Sequence, residues 1–498
     1  MGGITEAGFP LPPPKEAPEN LDKVEKKKSQ AELLLSLIEG SNITFFHDTL
    51  KTAYAAVGVG GHSETWTVNG SQFKMWLQKM YYDEYNKPIG GDALKNVSGV
   101  LTGKAIYDGD TIPLSVRVAK HGDSIFYDLS DKNWQAVQIT AGGWSVVSNP
   151  PTLFTRYNHQ LPQVPPSEGG NVKRILSLIN VKSEYHLLFL CWLVSCFVPD
   201  IPHAMPIFFG EKGAAKSTSC ELIKTIIDPS SLATLTISND TKTMAVNLQQ
   251  HYLLPFDNVS KISGDMSDML CRAITGGAIQ QRKLFTDSED VIFTFKKCLA
   301  LNGINNVANR ADLLDRSLLI ELERIPESRR REITEIKADF YSVLPDIMGD
   351  IFTILSKAMM IYPNVKLGRL PRLADFTRWG YAIGEAMGGF GGEFIRVYET
   401  NRQQQNIEAI NSDPVATLIV EFMKNHSQWS GTPTSLYGEL VSIAGENNIN
   451  PRSKAFPQSP AVLIKRINAV KSNLETAGVV FEKSKSGDDR SITLESVK

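Results

Sequence analysis

The chain is 498 residues long, 42% hydrophobic and 21% charged, with a formal charge of −2. That length calls for more than one domain, and the balance is that of a globular protein that buries large cores without disulfides. A charge so near zero excludes a wholesale basic coat, so any nucleic-acid contact has to come from a local patch or channel.

Residues 1–30 join a proline-rich stretch (PLPPPKEAP) to a charge run (DKVEKKK). They offer too little apolar surface to offset the entropy of ordering, so a flexible tail is expected, with its lysines a solvated tract. The same residues lack the basic-then-apolar order of a secretory signal. From 31 to 165, apolar runs such as Thr65–Val68, Leu114–Val118, Ser124–Leu129 and Trp134–Thr140 alternate with Gly, Asn and Asp turns. This predicts a small α+β domain rich in strand. Asp108-Gly109-Asp110 reads as a hairpin turn rather than as a metal-binding carboxylate pair. The prolines between Asn149 and Pro166 read as a linker.

At 171–197 apolar positions recur at three- and four-residue spacing, which predicts helix. The apolar run Leu187–Val198 is shorter than the ~18–20 residues that cross a bilayer. Cys191, Cys196, Cys220, Cys271 and Cys298 form no CxxC pair and read as reduced thiols in a core. A soluble, cytoplasmic protein with no membrane partner is expected.

Residues 166–328 contain the most telling segment, 205–322, where short apolar strands alternate with helices as in a parallel, helix-covered sheet. A strand from Pro206 runs into GEKGAAKST and then a helical stretch. In that order, backbone N–H groups of a glycine loop and a helix N-terminus cradle phosphate oxygens. Gly210, Gly213, Ala214, Ala215 and Thr218 would form the cradle, Lys216 would reach the β- and γ-phosphates, and Ser217 would ligate Mg²⁺. ATP and Mg²⁺ are therefore the expected cofactors. The pattern G-x-x-x-x-G-K-[ST] opens on Gly210, but Ala215 stands at its second glycine, and alanine lacks easy access to positive φ. An ordinary glycine turn before a helix is the alternative.

The next apolar strand, His251–Phe256, ends in Asp257-Asn258. A carboxylate at a strand tip fits a second Mg²⁺ group. Asn258 stands where a second acid would orient the attacking water, and an amide is a poor proton acceptor, so the hydrolytic base stays open. A third strand, Lys297–Asn302, brings Asn302 to a tip between the first two, toward the γ-phosphate or its water; a turn cap is its other role. Arg316, just before the strand Ser317–Leu322, is a candidate arginine finger for a neighbouring subunit's site. The alternative is a salt bridge with Asp312 or Asp315.

Residues 329–410 read as a helical lid, in which Arg372, beside Arg369 and Arg378, is picked for the γ-phosphate against simple helix-tying. In 411–498, helices at Val415–Asn425, Ser435–Glu446 and Ala461–Ala477 precede two short strands around SKSGDD, the outline of a winged helix. Its third helix carries Lys465, Arg466 and Lys471, which suits DNA, although such modules also dock proteins.

With these elements in view, 205–322 resembles the ATPase core of superfamily 3 helicases, which are AAA+ P-loop proteins, and looks closest to poxvirus-type primase-helicases and related phage and plasmid replication proteins. The resemblance is carried by Thr275-Gly276-Gly277, Arg282 and Leu284, Phe293 and Phe295, Asn302, and Arg316, and it covers about a quarter of the chain. It implies an α/β fold: an AAA+ P-loop core with a parallel sheet, preceded by the small α+β domain and followed by the lid and the winged-helix-like domain. It also implies a β-hairpin over about 278–295 that points into the channel of a homo-hexamer. Gln281, Arg282 and Lys283 would there hold DNA phosphates without reading sequence, while the acidic TDSED turn would repel them. The implied function is an ATP-dependent helicase or translocase on single- or double-stranded DNA, in replication of a virus, plasmid or mobile element. A primase or other replication protein is the further partner implied. Asn258 keeps a second reading open, a nucleotide-gated DNA-binding initiator or loader with little hydrolysis. A primase within this chain is disfavoured, because residues 31–165 carry no convincing cluster of catalytic carboxylates.

Overall fold

The computed structural model describes residues 28–260, 262–282, 290–303, 310–453, 456–486 and 489–497. The chain divides into two compact units, one of Met1–His47, Ala53–Val57 and Trp66–Asp110, the other of Asp48–Thr52, Gly58–Thr65 and Thr111–Lys498. The tail expected over 1–30 lies almost wholly outside the described residues.

The first unit opens on α1 (Gln30–Glu39), where Ser29 Oγ accepts from Glu32 N at 3.3 Å and the Glu32 carboxylate accepts from Ser29 N at 2.7 Å. This reciprocal capping box satisfies two N–H groups that the first turn leaves free. Strands β1 (Ile43–His47) and β2 (Ala53–Val59) pair antiparallel, and β3 (His62–Thr67), most of which the division gives to the second unit, follows in the chain. Helices α2 (Ser71–Tyr85) and α3 (Gly91–Gly103) bury Phe73, Leu77 and Tyr81, and Leu94, Val97 and Leu101, at the spacing that gives one apolar face. Asp108-Gly109-Asp110 is not a hairpin turn. Asp108 ends a π-helical turn from Lys104, and a Cβ on Gly109 would lie 2.6 Å from the carbonyl oxygens of both Ala105 and Phe45. Close packing, rather than a turn, calls for glycine there.

The second unit begins with β4 (Val118–His121), β5 (Ser124–Asp128), β6 (Ala136–Thr140) and β7 (Gly143–Val147), an antiparallel meander in chain order. Its Tyr127, Val137 and Ile139 belong to the same hydrophobic core as Trp192, Ile223 and Phe352. The residues after Asp110 thus share a core with the parallel sheet, and the last segment of the first unit ends at Asp110. The stretch expected to be a linker is also packed, since Gln163 Nε2 donates to the carbonyls of Thr225 at 3.0 Å and Ile226 at 2.9 Å. The helix expected over 171–197 resolves into two short 3₁₀ turns, Val172–Ser177 and Ser183–Tyr185, and then α4 (His186–Ser195), in which every residue from Leu188 to Ser195 is buried.

The central layer follows: β8 (Met205–Phe209), α5 (Lys216–Ile227), α6 (Thr241–Gln250), β9 (Leu253–Phe256), α7 (Gly264–Thr275), the antiparallel hairpin β10 (Gly277–Arg282) and β11 (Asp290–Phe295), β12 (Cys298–Asn302), α8 (Ala311–Leu314) and β13 (Ser317–Glu321). The parallel sheet has the order β13-β8-β12-β9. Its strands read as near-continuous apolar runs because helices cover both faces. Helices α9 (Ile333–Ile361), α10 (Ala374–Ala386) and α11 (Gly391–Ser412) complete this core.

The C-terminal part has a core of its own, built on Leu418, Leu436, Leu463, Leu474, Phe481 and Leu494. It comprises α12 (Pro414–Met423), β14 (Gln428–Gly431), α13 (Pro433–Ala444), α14 (Pro460–Ala469), α15 (Lys471–Thr476), β15 (Val479–Ser486) and β16 (Asp489–Ser496). The helix expected over 461–477 is interrupted at Val470, whose ψ of 11° leaves the helical region, and β14 is an added strand that pairs with β16.

Candidate nucleotide site

Parallel strands deliver their carboxyl ends to one edge of a sheet, and such an edge is where open α/β sheets hold ligands. Here that edge receives the loop 210–215 from β8, Asp257 from β9 and Asn302 from β12. The loop turns on three residues of positive φ: Gly210 at 148°, Gly213 at 86° and Ala215 at 55°. At Gly210 a side chain is also excluded by space, since a Cβ would lie 2.4 Å from Leu322 O. Ala214 is buried. Helix α5 then starts with no side chain capping its first turn, which leaves N–H groups directed at the loop, with Thr218 half-buried beside them.

Lys216 curls back over the loop, its Nζ donating to Gly210 O at 2.8 Å and Glu211 O at 3.0 Å. Partial burial lowers its pKa from the usual lysine value, while Asp257 pulls the other way. Ser217 Oγ donates to Asp257 Oδ1 at 2.9 Å, joining the first turn of α5 to the tip of β9. The two groups named from sequence for one cation thus stand in contact. Among the described residues no cluster of three or more His, Cys, Asp or Glu is arranged to hold a metal. A cation at this edge would draw its remaining ligands from phosphate and water.

Asn258 has a left-handed backbone, φ 52°, and an exposed side chain. Its N–H donates to Asn302 Oδ1 at 3.0 Å, and Asn302 Nδ2 faces Cys220 Sγ at 3.7 Å. Asn302 is buried, at 2% exposure. Its amide braces the tips of β12 and β9 against α5, a positioning role that the sequence did not suggest.

Arg316 and Arg372 both stand in ion pairs within this chain. Arg316 is 7% exposed and its Nη1 donates to both the carbonyl and the carboxylate of Asp312 at 2.6 Å. Arg372 lies 3.1 Å from Asp312 and 3.2 Å from Asp315. In this single chain Arg316 holds the salt bridge named as its alternative, one helical turn bringing Asp312 under it, and Arg372 ties its segment to α8 through the same carboxylates. Two arginines that sequence reasoning passed over stand at the loop instead. Arg324 lies 3.7 Å from Glu211, and Arg330 Nη2 would be 3.5 Å from a Cβ on Gly213. The chain after β13 is strapped to the loop by Ile325 N donating to Gly213 O at 3.2 Å. The basic run RIPESRRR just past that strand was the available signal.

On the hairpin, the register pairs Gln281 with Val291 and Arg282 with Asp290. Those side chains, and Lys283 altogether, lie outside the described residues. In the C-terminal part Arg466 pairs with Asp413 at 3.3 Å and Lys471 with Glu475 at 3.7 Å, while Lys465 is exposed. All five cysteines are buried free thiols. Among the described residues no helix is long and apolar enough to cross a membrane.

Three solved structures of the NrS-1 C terminal region are similar to this chain, with 12–13% identity and TM-scores of 0.39 to 0.40. The alignments cover 95% of this chain and 100% of each of those. No curated protein matches. Residues 172–391 match the family model of the actinomycete integrative conjugative element replication protein, and residues 415–498 match that of the AICE RepA C-terminal domain. Together these two segments, more than half of the chain, belong to the family of actinomycete integrative conjugative element replication proteins.

Proposed function

We propose that this replication protein is an ATP-dependent DNA helicase or translocase, working as a ring oligomer, with its nucleotide held at the carboxyl edge of the β13-β8-β12-β9 sheet. The observation that carries the reading is the contact of Ser217 Oγ with Asp257 Oδ1 at 2.9 Å, beside Lys216 on the same loop. Loop 210–215 and the open first turn of α5 would take the phosphate oxygens. Lys216 would exchange its two carbonyl partners for the β- and γ-phosphates. Ser217 and Asp257 would hold Mg²⁺, which neutralises charge on the phosphates when bound. Asn302 would hold Asp257 in place through Asn258 N, the residue next to it. Arg324 and Arg330 supply cationic charge from the same chain.

DNA would be held by Gln281, Arg282 and Lys283 of the hairpin through its phosphates. A trans role for Arg316 requires its bond to Asp312 to open on assembly. Asn258, exposed where a second acid would stand, favours the second reading, a nucleotide-gated initiator or loader with slow hydrolysis.

The test is ATP turnover by the full chain with and without single-stranded DNA. Wild type is expected to hydrolyse ATP and to respond to DNA, and Lys216→Ala to lose turnover by at least about 100-fold, the scale on which removing a preorganised cationic or oxyanion contact acts. Arg316→Ala is run beside them. Lost turnover with intact nucleotide binding supports the shared site, and normal turnover confines Arg316 to its salt bridge. Tight ATP binding with negligible wild-type turnover selects the loader.

A further inference from the structure

None of the residues named at the nucleotide site lies in the first unit, which carries a groove of about 530 Å³ between α3, the start of α2 and Asn69 just ahead of it. Lys95, Ser98, Gly99 and Thr102 recur at the three- and four-residue spacing that places them on one face of α3, and Asn69 and Lys74 close the other side. No carboxylate lines the groove. Neither lysine has an ion-pair partner among the described residues. Thr102 Oγ1 accepts from Asn69 Nδ2 at 3.3 Å and donates to Ser98 O at 2.7 Å, so the two sides of the groove are tied together.

Ser98 supplies the second observation. It is 4% exposed and lines the groove, but its hydroxyl has no hydrogen-bond partner. Buried hydroxyls are nearly always satisfied, and one left open inside a groove awaits an acceptor or a water from outside. The groove wall is also open at Gly99, where a Cβ would meet nothing within 4 Å. Two unpaired ammonium groups, the unpartnered Ser98 hydroxyl, the second amide N–H of Asn69 and the open wall at Gly99 suit a tetrahedral anion that presents several acceptor oxygens.

We propose that this groove binds a backbone phosphate of DNA, making the first unit a sequence-independent DNA contact. The choice of DNA as the carrier of that phosphate rests on the replication reading above, whereas the groove itself does not depend on the nucleotide site. Point cations along a phosphate chain act by releasing counterions, which makes binding steeply dependent on salt.

The test measures binding of fluorescent single-stranded DNA to the full chain across a salt series, without nucleotide and in the Lys216→Ala background. That design removes the P-loop as an anion site and separates this proposal from the ATPase reading. Lys74→Gln/Lys95→Gln is expected to weaken binding about tenfold in low salt and to make the slope of log K against log salt shallower by about 1 to 2. Gly99→Glu places a carboxylate in open space and is expected to act in the same direction, while Gly99→Ala, equal in backbone effect but uncharged, binds as the parent does. Unchanged affinity and slope in the double lysine variant overturns the proposal. Loss of inorganic phosphate or pyrophosphate binding in that variant, with DNA binding intact, overturns the DNA assignment and makes the groove a free-phosphate site.

Discussion

Ala215 holds a left-handed backbone, φ 55° and ψ 34°, at the point where the loop enters α5. An alanine there costs roughly 1–2 kcal/mol in contact between its Cβ and the neighbouring carbonyl. A glycine would remove that strain but would add about 0.5–1 kcal/mol of chain entropy to lose on folding. Ala215→Gly is therefore expected to stabilise the chain by no more than about 1 kcal/mol in urea denaturation. Gly210→Ala belongs to a different class. It combines a φ of 148° with a Cβ 2.4 Å from Leu322 O, and that oxygen is backbone, which cannot swing aside. The expected loss is about 3 kcal/mol or more, with nucleotide binding impaired as the loop shifts from Leu322. Gly213→Ala falls between them, strained at φ 86° but meeting only the flexible end of Arg330 at 3.5 Å. If the three variants were equally stable, the positive-φ loop would not be rigid in the free protein.

Helix α5 and strand β9 are fastened at their far ends by a carboxylate. Asp228 is fully buried, and it accepts from Arg117 Nε at 3.1 Å, Lys224 Nζ at 2.7 Å, and the backbone of Tyr252 and Leu253 at 2.9 and 3.2 Å. Burial alone would raise its pKa, but Lys224 and Arg117 outweigh it and hold the group well below the usual carboxylate range. A depressed folded pKa contributes stability that is present above the unfolded value, near 3.9, and lost as pH falls through the folded value. Asp228→Asn leaves two buried cations without a counter-charge, so a loss of about 3–5 kcal/mol is expected at pH 7. The variant should approach wild type only in strong acid; a gap that stays constant in denaturation melts between pH 7 and 2 would rule out ionic fastening. This network also marks the limit of what the chain's pattern discloses. The four parallel strands could be read from their apolar runs, and Asp257, Asn302 and the loop from the residues that end those runs, because strands buried on both faces leave no other pattern. Arg117 reads as an ordinary surface charge, since its partner is 111 residues away. The meander β4–β7 shows alternation, which tells that one face is buried but not that it is buried against α9. Arg324 and Arg330 reach the loop only because β13 lies beside β8, a neighbour relation that local sequence does not encode.

Across the whole molecule the hydrophobic interior is not continuous. Residues from Ile410 to Leu494 form a core separate from the one that joins the meander, the parallel sheet and the helices α9 to α11. That separate core is closed by local means. Asp413 caps α12 through Val415 and Ala416 N at 2.8 and 3.1 Å, and β16 is paired on both sides, by β14 and β15. A stretch of this size sits near the lower limit for a domain that folds on one core alone, without disulfide or metal. Here α12, α13, α14, α15, β15 and β16 contribute buried residues and Trp429 of β14 packs against them, so the sheet and the helices cover one another. Residues 411–498 expressed alone are therefore expected to unfold in a single cooperative transition, with modest stability of about 3–5 kcal/mol. In the full chain, guanidinium denaturation should then show this transition apart from that of the larger core, because few apolar groups are shared between them. A fragment lacking cooperative unfolding would mean that α11, whose Asn406 exchanges hydrogen bonds with Asn473 at 3.2 and 2.8 Å, supplies the missing support. Restoring residues 391–410 to the fragment would then recover the transition, and the unit that folds would begin at α11 rather than at Asp413.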